Sequence, residues 1–377
     1  MKLTAKIKLM STPEQYAAIL ETLELSNTLC NQISDIAWAH KEFSRFGLQT
    51  LVYQQARAET KLAAQLIIRC IAKVADAYKK DKSTKRIFKK HGAIPFDDRI
   101  LKIRNEKQFI SIWTVAGRQQ IQFVCGEHHA KLLQFQKGES DLIYNRKRDC
   151  FYLLPTCDIP EFEKGNPETW LGVDLGQVNI AATNDGEIYT SKDIERNRVK
   201  AQTLRSNLQS VKTKSAKRHL KRLSGKQRRF QRDVNHVLSK RLVLDAERTK
   251  RGIALEDLTH IRKRTRVRGK ENRARRTNWS FRQLRDFISY KAEMHGIPIR
   301  LVDPAYTSQR CSVCGHIEPG NRRSQSVFRC KACGHTEHAD VNAAKNVSWA
   351  AVRQPIVSDF IPAQRAVIKG LGTSPRL

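Results

Sequence analysis

Seven side chains stand out as potential metal ligands, four thiols and three carboxylates. The thiols lie in Cys311-Ser-Val-Cys314-Gly-His and Cys330-Lys-Ala-Cys333-Gly-His, two C-x2-C knuckles separated by fifteen residues. Zinc takes four thiolates in a tetrahedron, and C-x2-C puts two sulfurs on one tight turn. Gly315 and Gly334 relieve the turn just past each pair. The pattern predicts one structural zinc held by Cys311, Cys314, Cys330 and Cys333, with His316 and His335 left over because four thiolates already close the site. A closed site keeps no position for a reacting group, so catalysis has to lie elsewhere. Cys30, Cys70, Cys125, Cys150 and Cys157 follow no pattern and read as ordinary thiols of a reducing compartment.

The carboxylates supply that other place. Asp174 sits inside the apolar run Trp170-Leu-Gly-Val-Asp-Leu-Gly176, where an unpaired charge costs several kcal/mol. Glu256 ends a second apolar run, Gly252-Ile-Ala-Leu-Glu256, and Asp340 opens Asp340-Val-Asn-Ala-Ala-Lys-Asn346, which reads as a helix start. Singly, each has an ordinary role: a turn acceptor, a strand-end charge and a helix N-cap. Converging from three elements, they would give magnesium the hard oxygen ligands it needs. Two such ions ~3.5–4 Å apart can activate water and stabilise the leaving oxygen at a phosphodiester.

Those residues need a scaffold, and the patterning supplies one. Leu3, Ala5, Ile7 and Leu9 alternate with Lys2, Thr4, Lys6 and Lys8, a strand with one wet side and not a secretory signal. Ser11-Thr12-Pro13-Glu14 offers an N-cap, an early proline and a capping-box Glu. Helical pattern then runs to about Phe43, breaks near Gly47 and resumes through Leu51 to about Lys80. From Ile94 to Cys157 the texture is β, with hairpins at Ala116-Gly117 and at Arg146–Arg148. The first strand is expected to join that sheet. An acidic, Pro- and Gly-bearing stretch, Asp158–Glu168, reads as a linker. Beyond it, Trp170–Gly176, Asn179–Thr183 and a strand after Asp185-Gly186 form a second β region.

The chain carries 70 Lys and Arg against 37 Asp and Glu, a formal charge of +33 over 377 residues, with 40% hydrophobic residues. That is apolar enough to fold, and no run approaches the ~18 apolar residues of a membrane span. The expected compartment is the cytoplasm, and the expected partner of so basic a chain is a nucleic acid. Two segments carry +21 of the charge: 192–232, with fifteen basic residues and two acids, and 262–276, with nine and one. Candidate nucleic-acid contacts are Lys221, Arg222, Arg228, Arg229, Arg262, Arg264, Arg266, Arg268 and Arg310.

A strand Asp followed by a hairpin, then a strand Glu, then a helix Asp is the order in which ribonuclease H-like nucleases assemble a metal site. Together with GVDLG at Gly172–Gly176, LED at Leu255–Asp257, TSQRCSVCG at Thr307–Gly315 and HADVNAAKN at His338–Asn346, it resembles the transposon-encoded TnpB (OrfB) proteins, compact relatives of type V CRISPR effectors. The resemblance is specific over about Trp170–Val347 and architectural over the first 165 residues. It implies a multidomain α+β fold: a β-barrel-like wedge (1–10 and 81–165) interrupted by a helical recognition block (11–80), then a ribonuclease H-like (RuvC) domain (166–305 and 336–377) with an inserted zinc ribbon (306–335). It also implies RNA-guided cutting of double-stranded DNA beside a short protein-read motif, with a guide RNA from the transposon end. Asp174, Glu256 and Asp340 become the RuvC-type acids holding magnesium, two ions in all, in a prokaryotic, nucleoid-associated monomer. Some relatives lack an acid and only bind; none of the three is missing here. A transposase joining DNA strands with the same acids, or a guide-dependent regulator that does not cut, are the alternatives.

Overall fold

The computed structural model describes residues 1–160, 162–258 and 281–353. Arg262, Arg264, Arg266 and Arg268 lie outside the described residues. The chain divides into two compact units, Met1–Pro160 and Glu161–Gln364.

In the first unit, β1 (Lys2–Thr4) and β2 (Ile7–Met10) bury Leu3, Ala5, Ile7 and Leu9 and expose Lys2, Thr4 and Lys6, as the alternation requires. Helix α1 (Pro13–His40) starts with a capping box, but its partner is Gln15 and not the expected Glu14. The Thr12 hydroxyl accepts from the Gln15 amide at 3.3 Å, and the Gln15 side chain accepts from the Thr12 amide at 3.2 Å. Thr12 is the cap, so the third helical position belongs to Gln15. Glu14 falls one residue early and accepts from the Thr12 hydroxyl instead, at 2.8 Å.

Two more helices follow, α2 (Arg45–Glu59) and α3 (Ala64–Lys80). The break expected near Gly47 lies at 41–44. Lys41 is left-handed, φ 54°, and the Ser44 hydroxyl caps α2 by accepting from the Gly47 amide at 3.1 Å. Gly47 is therefore inside the first turn, where a Cβ would strike the Glu42 side chain. A second break at 60–63 carries neither Gly nor Pro to announce it.

After the helices come β3 (Ile94–Phe96), β4 (Leu101–Arg104), β5 (Phe109–Thr114), β6 (Gly117–Val124), a short α4 (Glu127–Leu133), β7 (Gln136–Asn145) and β8 (Cys150–Asp158). The eight strands form one antiparallel sheet ordered β3-β7-β8-β2-β6-β5-β4, with β1 also on β8. Strand β2 thus sits centrally between β6 and β8, and the helices are an excursion from the sheet. No ladder joins β3 to β4 among the described residues, so the expected barrel stops short of closure.

The second unit contains β9 (Trp170–Asp174), β10 (Asn179–Thr183), β11 (Ile188–Thr190), α5 (Lys192–Val211), α6 (Lys214–Leu223), α7 (Lys226–Arg248), β12 (Gly252–Glu256), α8 (Phe281–Met294), β13 (Ile299–Val302), β14 (Val327–Arg329), β15 (Thr336–His338) and α9 (Ala339–Arg353). Its main sheet is ordered β11-β10-β9-β12-β13. The β9–β10–β11 ladders are antiparallel, whereas β12 runs parallel to both β9 and β13.

Strand alternation sorts the faces of this sheet. Leu171, Val173, Ile253 and Leu255 pack with Leu238 and Leu242 of α7 and with Leu284 and Ile288 of α8. Trp170, Ala254 and Val302 pack with Val347, Ala350 and Ala351 of α9 on the other face. Asp174 and Glu256 are in step with Trp170 and Ala254, so both project toward the α9 side. The helix lies very close to β9: a Cβ on Gly172 would stand 2.1 Å from the Ala344 carbonyl and 2.7 Å from the Ser348 amide.

Candidate active site

Two adjacent parallel strands and one helix bring the three predicted acids together. Glu256 is 8% exposed and Asp340 3%, while Asp174 at the end of β9 keeps part of its surface open. Burial first, and then the negative charges of Glu256 and Asp340, push the Asp174 carboxyl well above the ordinary range; Arg322 and the Leu175 amide oppose the shift. Burial also raises Glu256, against the hydrogen bond from Thr307 and the positive charge of Arg322, with Asp303 adding repulsion.

Asp340 is not the N-cap that its position allowed. It lies in the first turn of α9, where the His338 ring nitrogen Nδ1 accepts the Asp340 amide at 3.3 Å. The carboxylate is engaged elsewhere. Arg322 Nη2 donates to Oδ1 at 2.7 Å, and Asn179 Nδ2 on β10 donates to Oδ2 at 2.8 Å. Thr307 donates its hydroxyl to Glu256 Oε1 and to the Pro304 carbonyl in alternative directions. Arg322, Asn179 and Thr307 are site residues that the sequence reading missed. Thr307 stood at the head of the quoted TSQRCSVCG motif without a role, and nothing local marks Arg322 or Asn179; the three act through contacts 51, 18 and 161 positions away.

Helix α9 also holds the neighbouring cysteine-bearing segment in place. Asn346 Nδ2 donates to the carbonyls of Thr307 at 2.9 Å and Arg310 at 2.7 Å. Asn342, one turn earlier, donates to the Arg310 carbonyl and accepts from the Ser312 amide. The two asparagines of the HADVNAAKN motif thereby fix the root of the segment against the helix that bears Asp340.

Cys311, Cys314, Cys330 and Cys333 have all four sulfurs within 4.8 Å of one another, the one such potential ligand group among the described residues. Cys311 Sγ to Cys333 Sγ is 3.7 Å and Cys314 Sγ to Cys330 Sγ is 3.5 Å, close to the ~3.8 Å edge of a tetrahedron with Zn–S near 2.3 Å. The two knuckles repeat each other. The amides of Gly315 and Gly334 donate to the carbonyls of Cys311 and Cys330, and both glycines have positive φ, 79° and 75°. His316 and His335 turn to Glu318 and Glu337. Against opposing burial, the amides of Cys333 and Ala332 and the neighbouring thiols pull the Cys330 thiol down to about 6. Against the pull of the His335 amide, the crowding thiols push Cys333 up to about 12, so the four share negative charge that a bound cation would spread over all of them. The donor set fits one zinc.

The carboxylates fit a different ion. They are hard oxygen donors whose ionisation is held back by burial and by one another, which a divalent cation would relieve. They are more loosely gathered than the thiols, since only the four sulfurs lie within 4.8 Å of one another among the described residues.

Among the candidate nucleic-acid contacts, Lys221 and Arg222 on α6 and Arg228 and Arg229 on α7 are exposed, with no acidic partner among the described residues. Helices α5 and α6 bury only Arg198 and Ala216. Arg310 differs from these, since its guanidinium lies 3.8 Å over the Trp349 ring.

Fold and site together describe a two-unit α+β chain whose second unit pairs a largely buried carboxylate cluster with a four-thiol cluster. The comparisons agree with that class. The family model for the Cas12f1-like TNB domain matches residues 281–347. The CRISPR-associated endodeoxyribonuclease Cas12f1 of Sulfoacidibacillus thermotolerans is 32% identical over 234 residues, 57% of this chain and 54% of that protein. A TnpB-like protein of Methanocaldococcus jannaschii is 29% identical over 241 residues, 60% of this chain and 82% of that one. The match thus spans about half the length of the Cas12f1 relative and most of the TnpB-like one. Among solved structures, Cas12f1 in a cryo-EM complex with sgRNA and target DNA superposes with a TM-score of 0.64 at 18% identity, covering 89% of this chain and 83% of that one. This chain has that fold, and its sequence is similar to TnpB-like and Cas12f proteins, as its motifs indicated.

Proposed function

We propose that the chain is an RNA-guided DNA endonuclease of transposon origin, cutting target DNA by divalent-metal-dependent phosphodiester hydrolysis. The observation that carries this reading is the convergence of Asp174, Glu256 and Asp340 from two parallel strands and one helix onto one side of one sheet. The curated relatives are named as an endodeoxyribonuclease and as a TnpB-like protein. The finer partition belongs to the same proposal: a wedge at 1–10 and 81–165, a recognition block at 11–80, a ribonuclease H-like domain at 166–305 and 336–377, and a zinc ribbon at 306–335. Guide RNA and double-stranded DNA are the proposed partners of a monomer, and no described helix is long and apolar enough to cross a membrane.

Asp174, Glu256 and Asp340 would hold magnesium, which when bound lowers the pKa of water and offsets charge on the phosphate oxygens. The rest is work for this chain's own groups. The Thr307 hydroxyl orients Glu256, while Arg322 and Asn179 hold the two oxygens of Asp340. Arg322 also brings positive charge toward Asp174 and Glu256, easing their ionisation. The four thiolates would hold one structural zinc in the segment that delivers Arg322.

The test is to purify the full chain from its native locus, sequence the bound RNA and replace its guide segment, roughly twenty nucleotides by analogy with other guided nucleases. Cleavage should move to the newly complementary DNA, while the adjacent DNA motif stays fixed. Asp174→Ala, Glu256→Ala or Asp340→Ala should each abolish cutting and leave target binding intact, with no further loss when combined. Specific cutting by RNA-free protein would overturn the reading in favour of a transposase.

A further inference from the structure

Beside the carboxylates lies a notch that, Thr307 on its wall apart, has no part in the mechanism above. It is shallow and open to solvent, and is lined by Tyr306, Thr307, Arg310, Ile317, Asn346 and Trp349. One wall is the Arg310–Trp349 stack, with the Arg353 guanidinium 5.7 Å from the same ring. Tyr306 on the lip is 61% exposed. Its backbone is left-handed, φ 63°, uncommon for a bulky side chain. Backbone outliers of this kind cluster at ligand sites, and this one, held by the Gln309 and Arg310 amides on the Tyr306 carbonyl, leaves a large ring in water. Thr307, the next residue, is part of the lining and donates its hydroxyl to Glu256. The notch and the carboxylate site therefore share a wall one side chain thick.

From this geometry we infer that the notch is a nucleobase subsite, taking one base of a single DNA strand next to the bond presented to the carboxylates. The exposed Tyr306 ring offers a base a face to stack on beside the Arg310–Trp349 wall, and the two arginines complement its flanking phosphates. Stacking accepts every base, so the subsite sets the register of the strand and not its sequence. The inference rests on the endonuclease reading for the identity of the strand, but its test is independent of cutting.

The experiment is a walk of 2-aminopurine along a short single-stranded DNA bound to the full chain, with calcium replacing magnesium. Quenching should concentrate at one register, and Tyr306→Ala should remove it and weaken binding at least about fivefold at high salt, whereas Tyr306→Phe should retain both. Ile317→Trp, filling the notch from the opposite side, should give the same loss without touching Tyr306. Unchanged thermal unfolding of these variants excludes misfolding as the cause. Quenching spread evenly along the strand, quenching that survives Tyr306→Ala, or a single register only on RNA of the same sequence would each overturn the subsite. Guided cleavage is assayed separately. A clean register with no cleavage would sink the nuclease reading alone, and normal cleavage with no register would sink the subsite alone.

Discussion

A carboxylate enclosed at the end of an apolar strand raises the free energy of the folded chain until a cation lies against it. Asp174 carries that cost through burial and through the charges of Glu256 and Asp340, with Arg322 giving partial relief. Between the ordinary carboxylate value of 3.8 and the raised one, the folded chain binds more protons than the unfolded chain. Metal-free stability should therefore fall as pH rises through that window. Asp174→Asn removes the charge at nearly constant shape. It should raise the melting temperature of metal-free protein by about 2–4 °C for each kcal/mol relieved, more at pH 8 than at pH 5.5, and the gain should shrink in magnesium. A melting temperature lowered at pH 8 would mean that Asp174 is not electrostatically strained. Asp174 was legible in the sequence because an acid in an otherwise apolar strand breaks a local pattern. Arg322 and Asn179 break none, Thr307 lay in a motif that did not reveal its role, and only the folded chain brings the three to the acids.

The arrangement of β9, α9 and the cysteine-bearing segment decides whether those acids meet at all. Gly172 lets α9 lie against the strand, and Asn342 and Asn346 bind the root of the thiol segment to the same helix. The segment in turn returns Arg322 to Asp340. Strand alternation and the C-x2-C spacing made β9, β12 and the thiol cluster readable, because both depend on near neighbours. Helix limits were less readable: the box closes on Gln15 because Thr12 is the cap, and the α2–α3 break has no Gly or Pro to announce it. Cys330→Ser tests the linkage between thiols and acids. It should release the zinc, lower the melting temperature and reduce cleavage, because metal binding in such a segment is folding free energy and the released segment carries Arg322 away from Asp340. Folded, active wild-type protein with far less than one zinc per chain would refute this.

Across the whole molecule, a charge of +33 must be reconciled with folding, and its placement shows how. The runs 192–232 and 262–276 hold most of the excess, and the first covers helices α5 and α6, which bury one residue each, and the start of α7 with Arg228 and Arg229. A helix pair with so little core gains little from packing, so its sequence is free to be basic along its length. The concentration of charge was legible from composition, whereas its exposure on nearly coreless helices was not, since Leu204, Leu208 and Val211 keep a helical spacing that suggests a buried stripe. In the structure Leu204 is 38% exposed and Val211 58% exposed. If these helices grip phosphates, neutralising Lys221, Arg222, Arg228 and Arg229 to Gln should weaken binding to all duplex sequences alike. For every phosphate no longer neutralised, the slope of log K against log salt should also flatten by about one unit, up to about four for the quadruple variant. Guide-directed target choice should not change, because phosphate contacts carry no sequence information. The measurement is duplex affinity across a salt series for wild type and variant. An unchanged slope would leave the four side chains as a solvated face and move the electrostatic grip to other basic residues.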